Sequence, residues 1–266
     1  MKMWTMAGIV PLGLAVLGAA AQAADIPTPV YKAPVTARTD HWSGFYIGGH
    51  AGYGWARTGS TVTPSAEEIG IGAGDPENGP LPGSPRADGF VGGGQLGINQ
   101  RFGSFLAGVE ADLSYANLEG STSATGAPFI GGVFHTALQT KLDWFGTVRG
   151  RLGVLPTENT LLYVTGGVAF GDVKTSLTAT NLLNPCGLGA HYCTAGASAS
   201  TSVGWALGGG AEFALAPAWS LKVEYLHVDF GGKSMTAIDP ANPGGAITAT
   251  AKVRADLVRV GLNYHF

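Results

Sequence analysis

Three places in the 266-residue sequence set reactive side chains at spacings that chemistry could use. Glu110 and Asp112 stand two residues apart, which puts both carboxylates on one face of an extended strand, as acid–base work by a carboxylate pair requires. Gly92-Gly93-Gly94-Gln95-Leu96-Gly97 satisfies G-x-G-x-x-G, a pattern that cradles a pyrophosphate when a helix begins there. Cys186 and Cys193 flank His191-Tyr192, a pair whose ring atoms could present axial-type ligands to a haem iron or a metal.

Each reading depends on the element that carries the residues. An alternation of apolar and polar positions runs through the glycine motif from Phe90 to Phe102, so a strand stands where a nucleotide site needs a helix. The glycines are better explained by close packing inside a narrow fold. One histidine and one tyrosine fall short of a metal site, so the expectation for 172–202 is a surface loop stiffened by a Cys186–Cys193 disulfide. Glu110 and Asp112 share their face with cations, which favours ion pairing over catalysis. No serine, histidine and acid arrangement can be located from spacing. The expectation is a protein that is not an enzyme, with no catalytic residue, cofactor or metal.

Composition narrows the class further. The chain is 45% hydrophobic and only 12% charged, with 43 glycines, 15 prolines and a net charge of −3. Disorder is excluded by the low charge, and a collagen-like chain by the absence of a three-residue glycine period. With no basic block to neutralise a phosphate backbone, nucleic acid is excluded as a partner.

Lys2, the apolar run Ile9 to Ala21 and the small-residue site Ala21-Gln22-Ala23 have the order of a secretory signal peptide over 1–23. Its apolar run is too short to span a bilayer. Pro27, Pro29 and Pro34 then make 24–42 an extended periplasmic linker. Beyond it no stretch reaches the ~20 apolar residues of a membrane helix.

What recurs over 43–266 is a period of two. Eight segments show it, beginning at Phe45, Phe90, Phe105, Leu138, Leu162, Val203, Trp219 and Val258. Connections after the even segments are short (103–104, 155–160, 216–218), and those after the odd ones are long (56–89, 116–137, 172–202, 230–255). That asymmetry predicts an all-β fold: an eight-stranded antiparallel transmembrane β-barrel with short periplasmic turns and long extracellular loops.

A soluble lipocalin-type carrier has the same strand count but buries its apolar face. The charges discriminate. Arg101, Lys141, Arg149, Arg151, Lys222 and Arg259 lie on the non-aromatic faces with Glu110, Asp112, Asp143, Glu212 and Glu224, which suits the packed polar interior of a membrane barrel. Val109, Leu142, Val223 and Val260 are then expected to face lipid, with aromatic residues at the strand ends forming interfacial girdles.

Four stretches carry a resemblance: Trp42-Ser43-Gly44-Phe45-Tyr46-Ile47-Gly48-Gly49, Trp144-Phe145-Gly146-Thr147-Val148-Arg149-Gly150-Arg151-Leu152-Gly153, Tyr163-Val164-Thr165-Gly166-Gly167-Val168-Ala169, and Leu221-Lys222-Val223-Glu224-Tyr225-Leu226. The chain resembles the small porin-family outer-membrane β-barrels of alphaproteobacteria, which are distantly similar to the OmpA transmembrane domain. That resemblance implies residence in the outer membrane of a Gram-negative bacterium, among phospholipid and lipopolysaccharide. In Val260-Gly261-Leu262-Asn263-Tyr264-His265-Phe266 it implies an assembly signal, Tyr264 and Phe266, read by the barrel-assembly machinery. It also implies haemin or host contact for some relatives. The function expected is a structural envelope protein with at most weak passage of small solutes. The alternative is a surface protein that binds haemin, a host surface or another extracellular ligand through its loops.

Overall fold

The computed structural model describes residues 40–64, 83–126, 133–182, 194–239 and 242–266. The expected signal peptide at 1–23, most of the linker, and Cys186, His191, Tyr192 and Cys193 lie outside the described residues.

Eight strands form: β1 Gly44–Pro64, β2 Arg86–Phe102, β3 Phe105–Gly126, β4 Phe134–Thr157, β5 Thr160–Asn181, β6 Thr194–Ala216, β7 Trp219–Asp239 and β8 Asn242–His265. Each pairs antiparallel with its sequence neighbours, and β1 closes the ring on β8 with Ala51 opposite Val260. Closure leaves no sheet edge, so the backbone ladder is paired all the way round, which hydrocarbon demands of any spanning structure. The two-residue turn from β2 to β3 depends on Gly103, whose φ of 65° a side-chain-bearing residue rarely adopts.

Alternation sorts the side chains onto two faces. Val109, Val223 and Val260 point outward, Val223 with 40% of its surface exposed. Rings at both ends of the outer face bracket the aliphatic belt. Phe45, Phe102, Phe105, Trp219 and Tyr264 lie at the short-turn end, and Tyr53, Trp55, Phe90, Tyr115 and Tyr225 lie further up. Phe45 to Trp55 is ten steps of one strand, ~33 Å along the chain and ~25 Å of height at a tilt of ~40°, which matches the apolar band of an outer-membrane barrel.

Two expectations need correction. The strands run 17 to 24 residues, about twice what crossing hydrocarbon takes, and take up most of the stretches that the sequence pattern predicts as long loops. Above the upper rings the outer face turns polar, as at Asn117, Glu119, Ser121 and Ser123 of β3, so both faces lose hydrophobic contrast while the ladder continues. The register also shifts in β4 between Leu142 and Phe145. This bulge reverses which parity faces inward: Leu142, expected against lipid, is 2% exposed inside the barrel, while Lys141 and Asp143 lie on the outer face.

The interior is layered. Trp42, Leu106, Leu155, Leu161 and Tyr163 fill the short-turn end. Leu118, Leu142, Phe145, Val173, Leu226, Val228 and Phe230 belong to a second apolar cluster on the far side of the charges. Glycine makes the close approaches possible: a Cβ on Gly93 of β2 would strike the Leu113 carbonyl oxygen and come within 2.8 Å of the Ser114 Cα.

Candidate functional site

Between the apolar layers sit four cations and four carboxylates, all buried: Arg149, Arg151, Lys222 and Arg259 with Glu110, Asp112, Glu212 and Glu224. Strand alternation delivers them. Arg149 and Arg151 are alternate residues of β4, Glu110 and Asp112 of β3, and Lys222 and Glu224 of β7, so each strand points two charges into the lumen at successive levels.

The contacts cross the lumen as well as following its wall. Arg149 of β4 donates to Glu110 at 2.6 Å and Asp112 at 3.0 Å on the adjacent β3, and to Glu224 at 3.1 Å on β7, three strands away. Lys222 of β7 lies 3.0 Å from both carboxylate oxygens of Glu110 and donates to Gln95 at 2.7 Å. Arg259 of β8 bridges Asp112 at 3.1 Å and Glu224. Lower down, Arg151 pairs with Glu212, and its guanidinium carbon sits 3.7 Å from the Tyr163 ring centroid, a cation–π contact. Ser220 and Asn263 donate to Glu212 at 2.5 Å and 2.7 Å. Tyr46 and Tyr163 donate to Glu110 at 2.7 Å and Glu224 at 3.1 Å.

A buried ion left alone costs several kcal/mol, on the order of 3–5 when one member of a pair is deleted. Four cations against four carboxylates leave the layer neutral, and each carboxylate has at least one cation in contact. Glu110 and Asp112, the candidate acid–base pair, are both held by Arg149.

Not every residue expected in the interior is there. Arg101 has inward parity but sits at the rim, its side chain 21% exposed, paired with Glu158 at 3.0 Å and Asp40 at 3.6 Å. Lys141 and Asp143 pair with each other at 3.3 Å on the outside, and Lys174 joins Asp143 at 2.5 Å. Tyr264 and Phe266 face outward with rings 5.1 Å apart.

The rim also holds residues from the end of the expected linker. Trp42 is 0% exposed, its indole Nε1 donating to the Glu158 carbonyl at 2.8 Å. His41 hydrogen-bonds the Pro217 carbonyl at 2.7 Å and stacks on His265 with ring centroids 4.7 Å apart. Partial burial lowers the His41 pKa from its ordinary value of 6.5, against the opposing pull of the Pro217 carbonyl. Asp40 accepts from Ser43 and from the Trp42 backbone at 3.3 Å, which ties this segment into the barrel mouth. The signal available in the sequence was a tryptophan set just before the first strand, where a solvated linker has no use for one.

The outer membrane protein beta-barrel domain matches residues 12–266, nearly the whole chain. The chain belongs to that family. It is 36% identical over 257 residues to the 31 kDa outer-membrane immunogenic protein of Brucella melitensis, covering 95% of this chain and 96% of the relative. It is 29% identical over 192 residues to the 22 kDa outer membrane protein of Rhizobium leguminosarum, covering 72% and 66%. Among solved structures, the outer membrane protein OprG from Pseudomonas aeruginosa aligns with 13% identity and a TM-score of 0.47, over 86% of this chain and 98% of that one. Family membership fixes the surroundings of the two faces: the belt of exposed valines, leucines and rings meets outer-membrane lipid. In outer-membrane barrels generally, short turns face the periplasm and the longer connections face the exterior.

Proposed function

We propose that this outer-membrane barrel is a structural envelope protein whose lumen passes small solutes weakly or not at all. The observation that carries the reading is the ionic layer spanning the lumen between opposite walls, with apolar clusters on both sides. An eight-stranded ring is just wide enough for its own side chains to fill, and here they bond across it. The paired state of every buried carboxylate supports structure over acid–base catalysis.

Liposome swelling tests this directly. Vesicles carrying the refolded protein are expected to swell in arabinose or glycine solutions no faster than protein-free vesicles. Rapid swelling that scales with protein content would overturn the reading.

A second reading, contact with molecules outside the cell, draws on the strands that continue above the upper rings with a Ser/Thr-rich face, and on the word immunogenic in the names of relatives. Both readings agree on the fold and differ in which end of the barrel selection acts on. Adhesion of purified barrel to host-cell surfaces or to haemin-agarose, absent for a barrel trimmed of 65–82 and 183–193, would favour the second.

A further inference from the structure

The outer wall carries an arrangement that the fold itself does not need. Arg86 of β2 is the cross-strand partner of Arg57 of β1, and Arg57 is in turn the partner of Arg254 of β8. Three guanidinium-bearing residues therefore stand side by side around the barrel, all outward and exposed. Lys252, the next outward residue of β8, is exposed beside them, opposite Gly59.

Like charges placed directly opposite on a sheet repel, so such a row persists where something else neutralises it. Arg254 donates to Asp229 at 3.0 Å. Among the described residues, no carboxylate lies within ion-pair distance of Arg57, Arg86 or Lys252. The nearest acids stand one alternate step below: Asp256, whose carboxylate is hydrogen-bonded by His227 at 2.7 Å and Tyr225 at 2.6 Å and also feels the Arg57 charge without pairing with it, and Asp88, held by Tyr53.

Height identifies what arrives there. Trp55 lies cross-strand from both Asp88 and Asp256, one alternate step below the arginines, so the row stands ~7 Å along the strand above the upper aromatic ring. That is the level of the outer-leaflet headgroups. A surface cleft lined by Arg57, Ser84, His227, Lys252, Arg254 and Asp256 opens at this level between β7, β8 and β1.

We propose that the Arg86–Arg57–Arg254 row with Lys252 is a binding site for the phosphate groups of an outer-leaflet glycolipid. Guanidinium forks bind phosphate oxygens in pairs, and adjacent forks suit a headgroup carrying more than one phosphate. On the opposite wall, Lys141 and Lys174 are matched by Asp143 and Asp172, two cations with two carboxylates, so the excess positive charge at this height belongs to β8, β1 and β2.

The test uses the full barrel, folded in detergent micelles, with bisphosphorylated lipid A as probe and native mass spectrometry as readout. Wild type is expected to bind it about tenfold tighter than dephosphorylated lipid A, and the double variant Arg57→Gln/Arg86→Gln to lose that preference. Lys174→Gln, on β5, is expected to keep it. If the double variant does not fold, Arg86→Gln alone is expected to weaken binding about threefold. An unchanged preference in the arginine variants overturns the site, and an equal loss in Lys174→Gln reduces it to diffuse charge. Displacement by millimolar inorganic phosphate assigns the row to a free anion, and equally tight binding of dioleoyl phosphatidylglycerol assigns it to any anionic headgroup. Either result overturns the glycolipid assignment.

Discussion

Lys222 holds both carboxylate oxygens of Glu110 at 3.0 Å although the two residues belong to β7 and β3, four strands apart in an eight-stranded ring. They stand on opposite walls, so their pairing measures the width of the lumen at that level and shows it filled.

Deleting one member of this pair strands a buried charge, whereas deleting both removes the charge and its partner together. Glu110→Gln and Lys222→Met are each expected to destabilise the barrel by about 3–5 kcal/mol, and the double variant by clearly less than their sum. Urea unfolding in micelles, followed by tryptophan fluorescence, reads the cycle. Strict additivity would mean that the two side chains do not depend on each other.

Much of this fold is legible in the sequence. Alternation gave eight strands, and it placed Glu110, Arg149, Lys222 and Arg259 on the lumen face because every strand between the girdles keeps strict parity. It failed at Leu142, because a bulge is a backbone event that shifts parity without leaving a mark in residue type. It also stopped too early along every strand. Above the lipid the outer face has no reason to be apolar, and the hydrophobic contrast that marks a strand disappears while its hydrogen bonds go on. The prolines before Trp42 predict a linker there, although the Trp42 indole is anchored by the Glu158 carbonyl, 116 residues away.

The glycine motif that resembles a nucleotide loop makes a sharper prediction. Gly93 faces inward against the backbone of Leu113 and Ser114, whereas an added Cβ on the outward-facing Gly94 would be 3.8 Å from the Gly48 carbonyl oxygen. Gly93→Ala is expected to cost about 1–3 kcal/mol and Gly94→Ala almost nothing. The same unfolding assay compares them, and equal costs would contradict the packing described for β2.

The Trp42 rim is expected to respond to acid. The folded-state pKa of His41 is lowered by burial, so the undocked segment binds a proton more readily than the docked one. Docking is therefore fully favourable above about pH 6.5, the ordinary histidine value, and weakens as the pH falls below it. The other ionisable neighbours are His265, Glu212 and Asp40. In a chain with Trp4, Trp55, Trp144, Trp205 and Trp219 changed to Phe, which leaves Trp42 as the single tryptophan, acrylamide quenching should rise between pH 7 and 5. The rise should be smaller in His41→Gln. Quenching independent of pH in this range would contradict the assignment.

The most direct test of a filled lumen is single-channel conductance of the refolded protein in planar bilayers. Eight strands whose interior side chains bond wall to wall predict a flat trace or brief small openings, far below the steps of a sixteen-stranded porin. Large, long-lived steps from the monomeric wild-type barrel would contradict the account.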